Sequence, residues 1–231
     1  MKISLRSTAL LTAFVITLGL SSCMKDDFEN TPISISGLSL VHASPTTEKL
    51  DVYIDNTRAS IDDFVFGNKI DYLRAYSGDR TITVTKRGLI TRLTSDVVKL
   101  VPDSAYTVFM VDKFETIDIL TLKDDLTKPA AGKAKIRFVN LSPDGGPLNL
   151  AINGAATDFV DNKAFKENSA FLPIDAAEKV TFNVKNKATG IVEATITDAK
   201  IEDGKIYTIY AKGLKANADD TKFGAAIFTH K

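Results

Sequence analysis

The feature that most constrains the fold of this chain is an internal duplication. Residues 38–56 align without a gap to residues 136–154, so that Val41 meets Val139, Ser44 meets Ser142, Pro45 meets Pro143, Leu50 meets Leu148 and Ile54 meets Ile152. The same frame later pairs Phe66 with Phe165, Tyr72 with Phe171, Leu73 with Leu172, Val84 with Val184, Lys99 with Lys200, and Tyr106-Thr107 with Tyr207-Thr208. The offset drifts only from 98 to 101, so the repeating unit is a whole domain of about 95 residues and not a solenoid repeat. Whatever fold one copy takes, the other must take as well.

Both copies read as strands. Leu50-Asp51-Val52-Tyr53-Ile54-Asp55 and Leu148-Asn149-Leu150-Ala151-Ile152-Asn153 place apolar residues at every second position, the pattern of a half-buried strand. Each run closes on a turn dipeptide, Asp55-Asn56 or Asn153-Gly154. Residues 81–85 and 180–184 are rich in β-branched side chains. Residues 106–111 and 206–211 are the most continuously apolar stretches and are expected to be central strands. Turn signals recur every eight to twelve residues, as at Ser44-Pro45, Ser77-Gly78-Asp79, Lys86-Arg87-Gly88 and Pro102-Asp103-Ser104. That spacing predicts an all-β chain of two tandem antiparallel sandwiches with about seven strands per copy. Tyr106 and Tyr207 follow acidic turns at the start of apolar strands and resemble tyrosine corners, whose hydroxyl bonds back to the connecting loop. The first sandwich is expected over residues 35–125 and the second over 133–231. The linker between them, residues 126–132, is short enough that the two copies are expected to touch.

Ahead of the first copy stands a leader. Lys2 and Arg6 precede an apolar run over residues 9–20, and Leu20-Ser21-Ser22-Cys23 follows it. The run is shorter than the roughly 20 residues a membrane-spanning helix needs. Leu20-Ser21-Ser22-Cys23 resembles the lipobox of bacterial lipoproteins, which implies a cleaved signal peptide over residues 1–22 and a diacylglyceryl and N-acyl anchor on Cys23. Several acyl chains at about 0.8 kcal/mol per buried methylene hold a protein permanently in a bilayer. Cys23 is the sole cysteine, so disulfide frameworks, cysteine-ligated zinc and cysteine nucleophiles are excluded. Residues 23–34 read as a flexible tether. Within it, Lys25-Asp26-Asp27 resembles the export signal of surface lipoproteins in Bacteroidota-type outer membranes, which implies an outer-membrane location facing the cell exterior.

Charge and motifs narrow the chemistry further. Lys plus Arg equal Asp plus Glu at 29 each, so no global field favours nucleic acid. His42 is the one histidine inside a copy and lacks a neighbour to work with. Its counterpart is Asn140, and His230 stands at the extreme terminus. A structural role at the Ser44-Pro45 turn is expected for it. Ser44 and Ser142 lie in no nucleophile elbow. Asp62-Asp63, Asp124-Asp125 and Asp219-Asp220 lack the spaced oxygens of a calcium loop and read as solvated turns. No Gly-rich phosphate loop, His-x-x-x-His pair or helix-borne carboxylate pair appears, so no catalytic residue, metal or cofactor is expected. Tryptophan is absent, leaving Tyr53, Tyr76 or Phe114 for stacking on a sugar. Asp103-Ser104-Ala105 resembles the acceptor tripeptide for O-glycosylation in the same bacterial group and implies Ser104 as the modified residue.

Val41-His42-Ala43-Ser44-Pro45, followed by Leu50-Asp51-Val52-Tyr53-Ile54-Asp55, closely resembles the opening of the domain of unknown function 4397 family. The likeness extends through Phe66-Gly67 and Tyr72 to Pro102-Asp103-Ser104-Ala105-Tyr106. In the second copy Asn140-Leu141 stand in place of His42-Ala43, and Gly145-Gly146-Pro147 loosens the loop. The resemblance implies immunoglobulin-like or transthyretin-like sandwiches in an exported protein and carries no catalytic or binding residues. The expected function is a non-enzymatic, lipid-anchored surface protein that presents its sandwich loops to a protein or glycan ligand. Candidate loops span residues 42–49, 58–69 and 143–147, with His42, Ser44, Glu48, Lys49 and Asp144 as candidate contacts. The alternatives are a carbohydrate-binding or carbohydrate-processing surface component and a structural subunit pairing through strand edges. Nothing in the sequence sets an oligomeric state.

Overall fold

Strands β1 (Ile35–His42), β2 (Leu50–Ile54), β3 (Thr57–Arg58), β4 (Lys69–Tyr76), β5 (Gly78–Lys86), β6 (Arg92–Leu100), β7 (Ala105–Val111) and β8 (Asp118–Asp124) build the first copy. The second consists of β9 (Lys133–Asn140), β10 (Leu148–Ile152), β11 (Val160–Lys163), β12 (Leu172–Asp175), β13 (Ala177–Asn186), β14 (Val192–Ile201), β15 (Ile206–Lys212) and β16 (Gly224–His230). The computed structural model describes residues 33–230. The leader, Cys23 and Lys25-Asp26-Asp27 lie outside the described residues.

Each copy is a sandwich of two four-stranded sheets. In the first the orders are β4-β1-β7-β8 and β3-β2-β5-β6, and in the second β12-β9-β15-β16 and β11-β10-β13-β14. The duplication read in the sequence is thus a duplication of topology. Immunoglobulin domains place their strands A, B, E and D in one sheet and C, F and G in the other. The first, fourth, seventh and eighth strands share a sheet here, leaving the transthyretin-like alternative of the two. Pairing is antiparallel except where the first strand of each copy runs parallel to its seventh, at Gly37↔Ala105 through His42↔Met110 and at Ile206↔Lys135 through Ala211↔Asn140.

Period-two alternation assigns the side chains to layers. Leu38 and Leu40 on β1, with Val108 and Met110 on β7, face Val52, Ile82 and Val84 of the opposing sheet and form the first core. Ile136, Phe138, Ile209 and Ala211 do the same against Leu150, Phe182 and Val184 in the second. Part of the other face of the β1 and β9 sheets is also apolar. Val41, Phe109 and Val111 pack against Val139, Leu141 and Tyr210, with Leu120, Leu122 and Phe228 beside them, in a third core that joins the copies. Residues 33–230 therefore stack four sheets, and the inner strands β7 and β15 of the two central ones are buried on both faces. That is why β7 and β15 read as continuous apolar runs and not as alternating ones.

The repeated tyrosines close a loop in each copy. The Val101 amide donates to the Tyr106 hydroxyl at 3.1 Å, and the Glu202 amide to the Tyr207 hydroxyl at 2.9 Å. Both rings lie in the cores. Tyr106→Phe and Tyr207→Phe are each expected to lower stability by about 1 kcal/mol, because each orphans one amide while keeping the apolar ring. Urea denaturation should show a lower midpoint with an unchanged slope.

Candidate functional site

The strand directions give the molecule two distinct ends. The linker joins the end of β8 to the start of β9, and β1 and β7 begin beside each other at the same end, where the Asp103 amide donates to the Ile35 carbonyl at 3.0 Å. The loops that follow β1 and β9 stand at the far end.

At the far end the candidate loop residues divide by burial. His42 and Ser44 are fully buried, so neither is a surface loop contact. The correction has a simple cause: His42 is the last inward-facing position of β1, with its ring 5.5 Å from Phe64 and 6.5 Å from Phe66. Burial holds its imidazole down at about 4, opposed by the nearby backbone carbonyls of Glu48 and His42 itself. Neither ring nitrogen meets a partner in hydrogen-bond geometry. Its counterpart Asn140 is better tied, donating to the Gly146 and Lys163 carbonyls at 2.8 and 2.9 Å. Glu48, Lys49 and Asp144 do reach the surface and hold the loops in shape. Glu48 pairs with Lys86 at 2.8 Å, Lys49 with Asp63, and Asp144 accepts from the Lys215 amide at 2.9 Å. The loop after β3 is pinned by Arg58, which bonds Asp51 at 2.7 Å and Asp62 at 2.8 Å.

At the linker end the third core turns polar, and the residues there were not among the candidates. Asp124 and Arg137 form an ion pair at 2.8 Å with both side chains at or below 1% exposure. The solvated turn expected at Asp124-Asp125 holds only for Asp125. The Tyr72 hydroxyl donates to Asp124 Oδ2 at 2.7 Å, and Thr107 Oγ1 donates to the same oxygen at 2.7 Å. Because the single phenol proton is committed to Asp124, the contact of 2.6 Å between Tyr72 and His230 Nδ1 requires Nδ1 to be the donor. His230 Nε2 then accepts from the Thr208 hydroxyl at 2.8 Å, and Thr208 Oγ1 accepts from Arg137 at 3.1 and 3.3 Å. The chain of bonds closes on itself through the Arg137–Asp124 pair and needs a neutral imidazole throughout. Burial supplies that by lowering His230 to about 4, with Asp124 opposing and Arg137 and Lys69 assisting. Burial and the facing carboxylate likewise push the Tyr72 phenol far above its ordinary value.

Register explains where these residues come from. Thr107 and Thr208 are equivalent, as are Tyr72 and Phe171 and, by strand pairing, Asp124 and His230. Ser39 is the counterpart of Arg137 and bonds only the Ile70 carbonyl of its own copy. The network arises where the two copies diverged at facing positions.

Above this floor opens a groove of about 1050 Å³ between the copies. Gly37, Tyr72, Arg74 and Asp103 line it from the first copy, and Asn168 and Phe171 from the second. A Cβ at Gly37 would stand 3.2 Å from the Tyr72 ring, so glycine lets the ring lie close over β1. The Arg137 guanidinium stacks 4.6 Å from the centroid of Phe171. Ser104 is half-buried at the same rim. Of the three aromatics considered for stacking from sequence, Tyr76 is 61% exposed, while Phe114 packs on the first core and Tyr53 is half-buried. Among the described residues no cluster of three or more His, Cys, Asp or Glu side chains is arranged to hold a metal.

Residues 36–151 match the profile of the family described as Domain of unknown function (DUF4397), a span running from β1 into β10. No curated protein sequence matches the chain. Among solved structures, the C-terminal domain of AlgF from P. aeruginosa is 19% identical over 43% of this chain and 99% of its own, with a TM-score of 0.32. A family 26 carbohydrate-binding module of Eubacterium rectale Amy13K is 10% identical over 84% of this chain and 97% of its own, at 0.28. An α-glucan-binding streptococcal virulence factor is 12% identical with the same coverage, at 0.26.

Proposed function

The chain belongs to the DUF4397 family, and from that premise we propose that it is a lipid-anchored, non-catalytic carbohydrate-binding protein of the outer membrane, displayed toward the cell exterior. The groove between the copies carries this reading. It is a concave site with aromatic walls and a few polar groups, the composition of small-ligand sites in general. Cys23 supplies the anchor. A tether of ten or so residues reaches at most about 35 Å.

Two measurements test the reading. Cells labelled with an alkyne fatty acid should yield labelled protein, and Cys23→Ser should abolish the label and release the chain from the membrane fraction. Full-length protein purified in detergent should be retarded in native gels containing polysaccharide. Retardation by none of a broad polysaccharide set would end the carbohydrate reading.

A second reading, adhesion by the far end, has its own support. Ile90 is 99% and Ile191 63% exposed at equivalent hairpin tips of the two copies. Apolar tips at that exposure are suited to burial against a partner.

A further inference from the structure

The groove is a product of the duplication, since each of its walls comes from a different copy. The Arg74 side chain is exposed and makes no ion pair or hydrogen bond among the described residues. Asp103 offers its carboxylate on a turn held at a φ of 56°, also without a side-chain partner. Asn168 donates one amide proton to the Ser169 carbonyl at 2.9 Å and keeps its oxygen and second proton open. The rim therefore offers free donors and free acceptors side by side, while the groups of the floor are consumed by one another. A hydroxyl group is donor and acceptor at once, so a ligand dense in hydroxyls satisfies both kinds of rim group.

Charge and shape restrict the ligand further. Arg74, Lys123 and Arg137 line the groove together with Asp103, Asp124 and Asp125, so its charges balance and no net field in it selects a polyanion. Tyr72 and Phe171 stand at equivalent positions in the two copies and supply apolar faces against which the C–H face of a sugar ring can rest. At about 1050 Å³ the groove lies at the top of the range for small-ligand sites, room for a chain of sugars.

We propose that the groove binds an uncharged, linear oligosaccharide lying across the junction, with Arg74 and Asp103 of the first copy and Asn168 of the second as specificity-determining residues. This rests on the carbohydrate-binding reading and adds the ligand's charge, its length and the site. The test is calorimetric titration of the full-length protein in detergent with maltohexaose, cellohexaose, xylohexaose, mannohexaose and a hexamer of galacturonate. Arg74→Ala, Asn168→Ala and the far-end control Ile90→Ser are titrated in parallel, each checked for an unchanged melting temperature. At least one neutral hexamer should bind, its monosaccharide at least tenfold more weakly. Arg74→Ala and Asn168→Ala should each weaken it at least tenfold, and Ile90→Ser should leave it unchanged. Tighter binding of the galacturonate hexamer than of every neutral one, or neutral binding indifferent to both groove variants, overturns the inference and leaves the carbohydrate reading standing. Binding of none of the hexamers overturns the inference, and the carbohydrate reading falls with it when no polysaccharide retards the protein either.

Discussion

Replacing Arg137 alone by methionine is expected to destabilise the protein by about 3–5 kcal/mol. The guanidinium is 1% exposed and faces a carboxylate that is fully buried. Removing the cation strands an anion inside the third core, where two hydroxyl groups and no positive charge remain to hold it. Arg137 also donates to Thr208 and to the Lys123 carbonyl at 3.2 Å, so the second copy loses one of its bonds to the end of β8. The double variant Arg137→Met with Asp124→Leu removes both charges. It leaves the Thr107 hydroxyl without its acceptor, at a cost of about 1–3 kcal/mol, while the Tyr72 proton turns to His230 Nδ1 as the imidazole takes its other tautomer. It should therefore be less stable than the wild type and more stable than Arg137→Met. Urea denaturation of these three proteins and of Asp124→Leu gives the coupling directly. A single variant within about 1 kcal/mol of the wild type would show that the pair does not hold the copies together.

The contrast between that pair and the sandwiches shows what one sequence can disclose. Strand alternation at Leu50-Asp51-Val52-Tyr53-Ile54, the turn dipeptides and the repeated tyrosines are local signals, and each led to an element of the right kind. The far-end loops were legible for the same reason, although burial of His42 and Ser44 was not, since a strand and the loop after it share one apolar run. The groove had no such signal. Tyr72 and Arg137 lie on β4 and β9, Asp103 and Phe171 on turns just before β7 and β12, and only the packing of two sheets brings the four together. Arg137 is the one available clue: a charged residue within Ile136-Arg137-Phe138-Val139, where its counterpart Ser39 is small. Placing His230 was harder still. Only the pairing of Ile206 with His230, and of Ala105 with Asp124, shows that a terminal residue and an acidic turn occupy equivalent positions.

Acid should unfold the protein early, and the two histidines should set where the loss begins. Both imidazoles are held near 4 in the folded chain, below an ordinary value of 6.5, chiefly by burial. The unfolded chain therefore binds protons that the folded chain refuses. Stability is complete above about pH 6.5, declines as the pH falls, and levels off for these groups once the folded values near 4 are passed. Each histidine contributes a loss of about 3 kcal/mol across that window, at 1.36 kcal/mol per tenfold change in proton affinity. The carboxylates act in a lower window: Asp125, held at about 2 by Lys135 and Thr127, loses its contribution only as the pH drops from about 4 toward 2. His42→Asn separates the two histidines, because asparagine is the residue that the second copy already uses at this position, with bonds to the loop that follows. The variant should fold, match or exceed the wild type at pH 5, and show about half the wild-type loss between pH 6.5 and 4 in midpoints of urea denaturation. The remaining half belongs to His230, where a second ring proton would point at the Thr208 hydroxyl that now donates to Nε2 and would add a cation beside Arg137. An unchanged pH dependence in His42→Asn would remove His42 from this account.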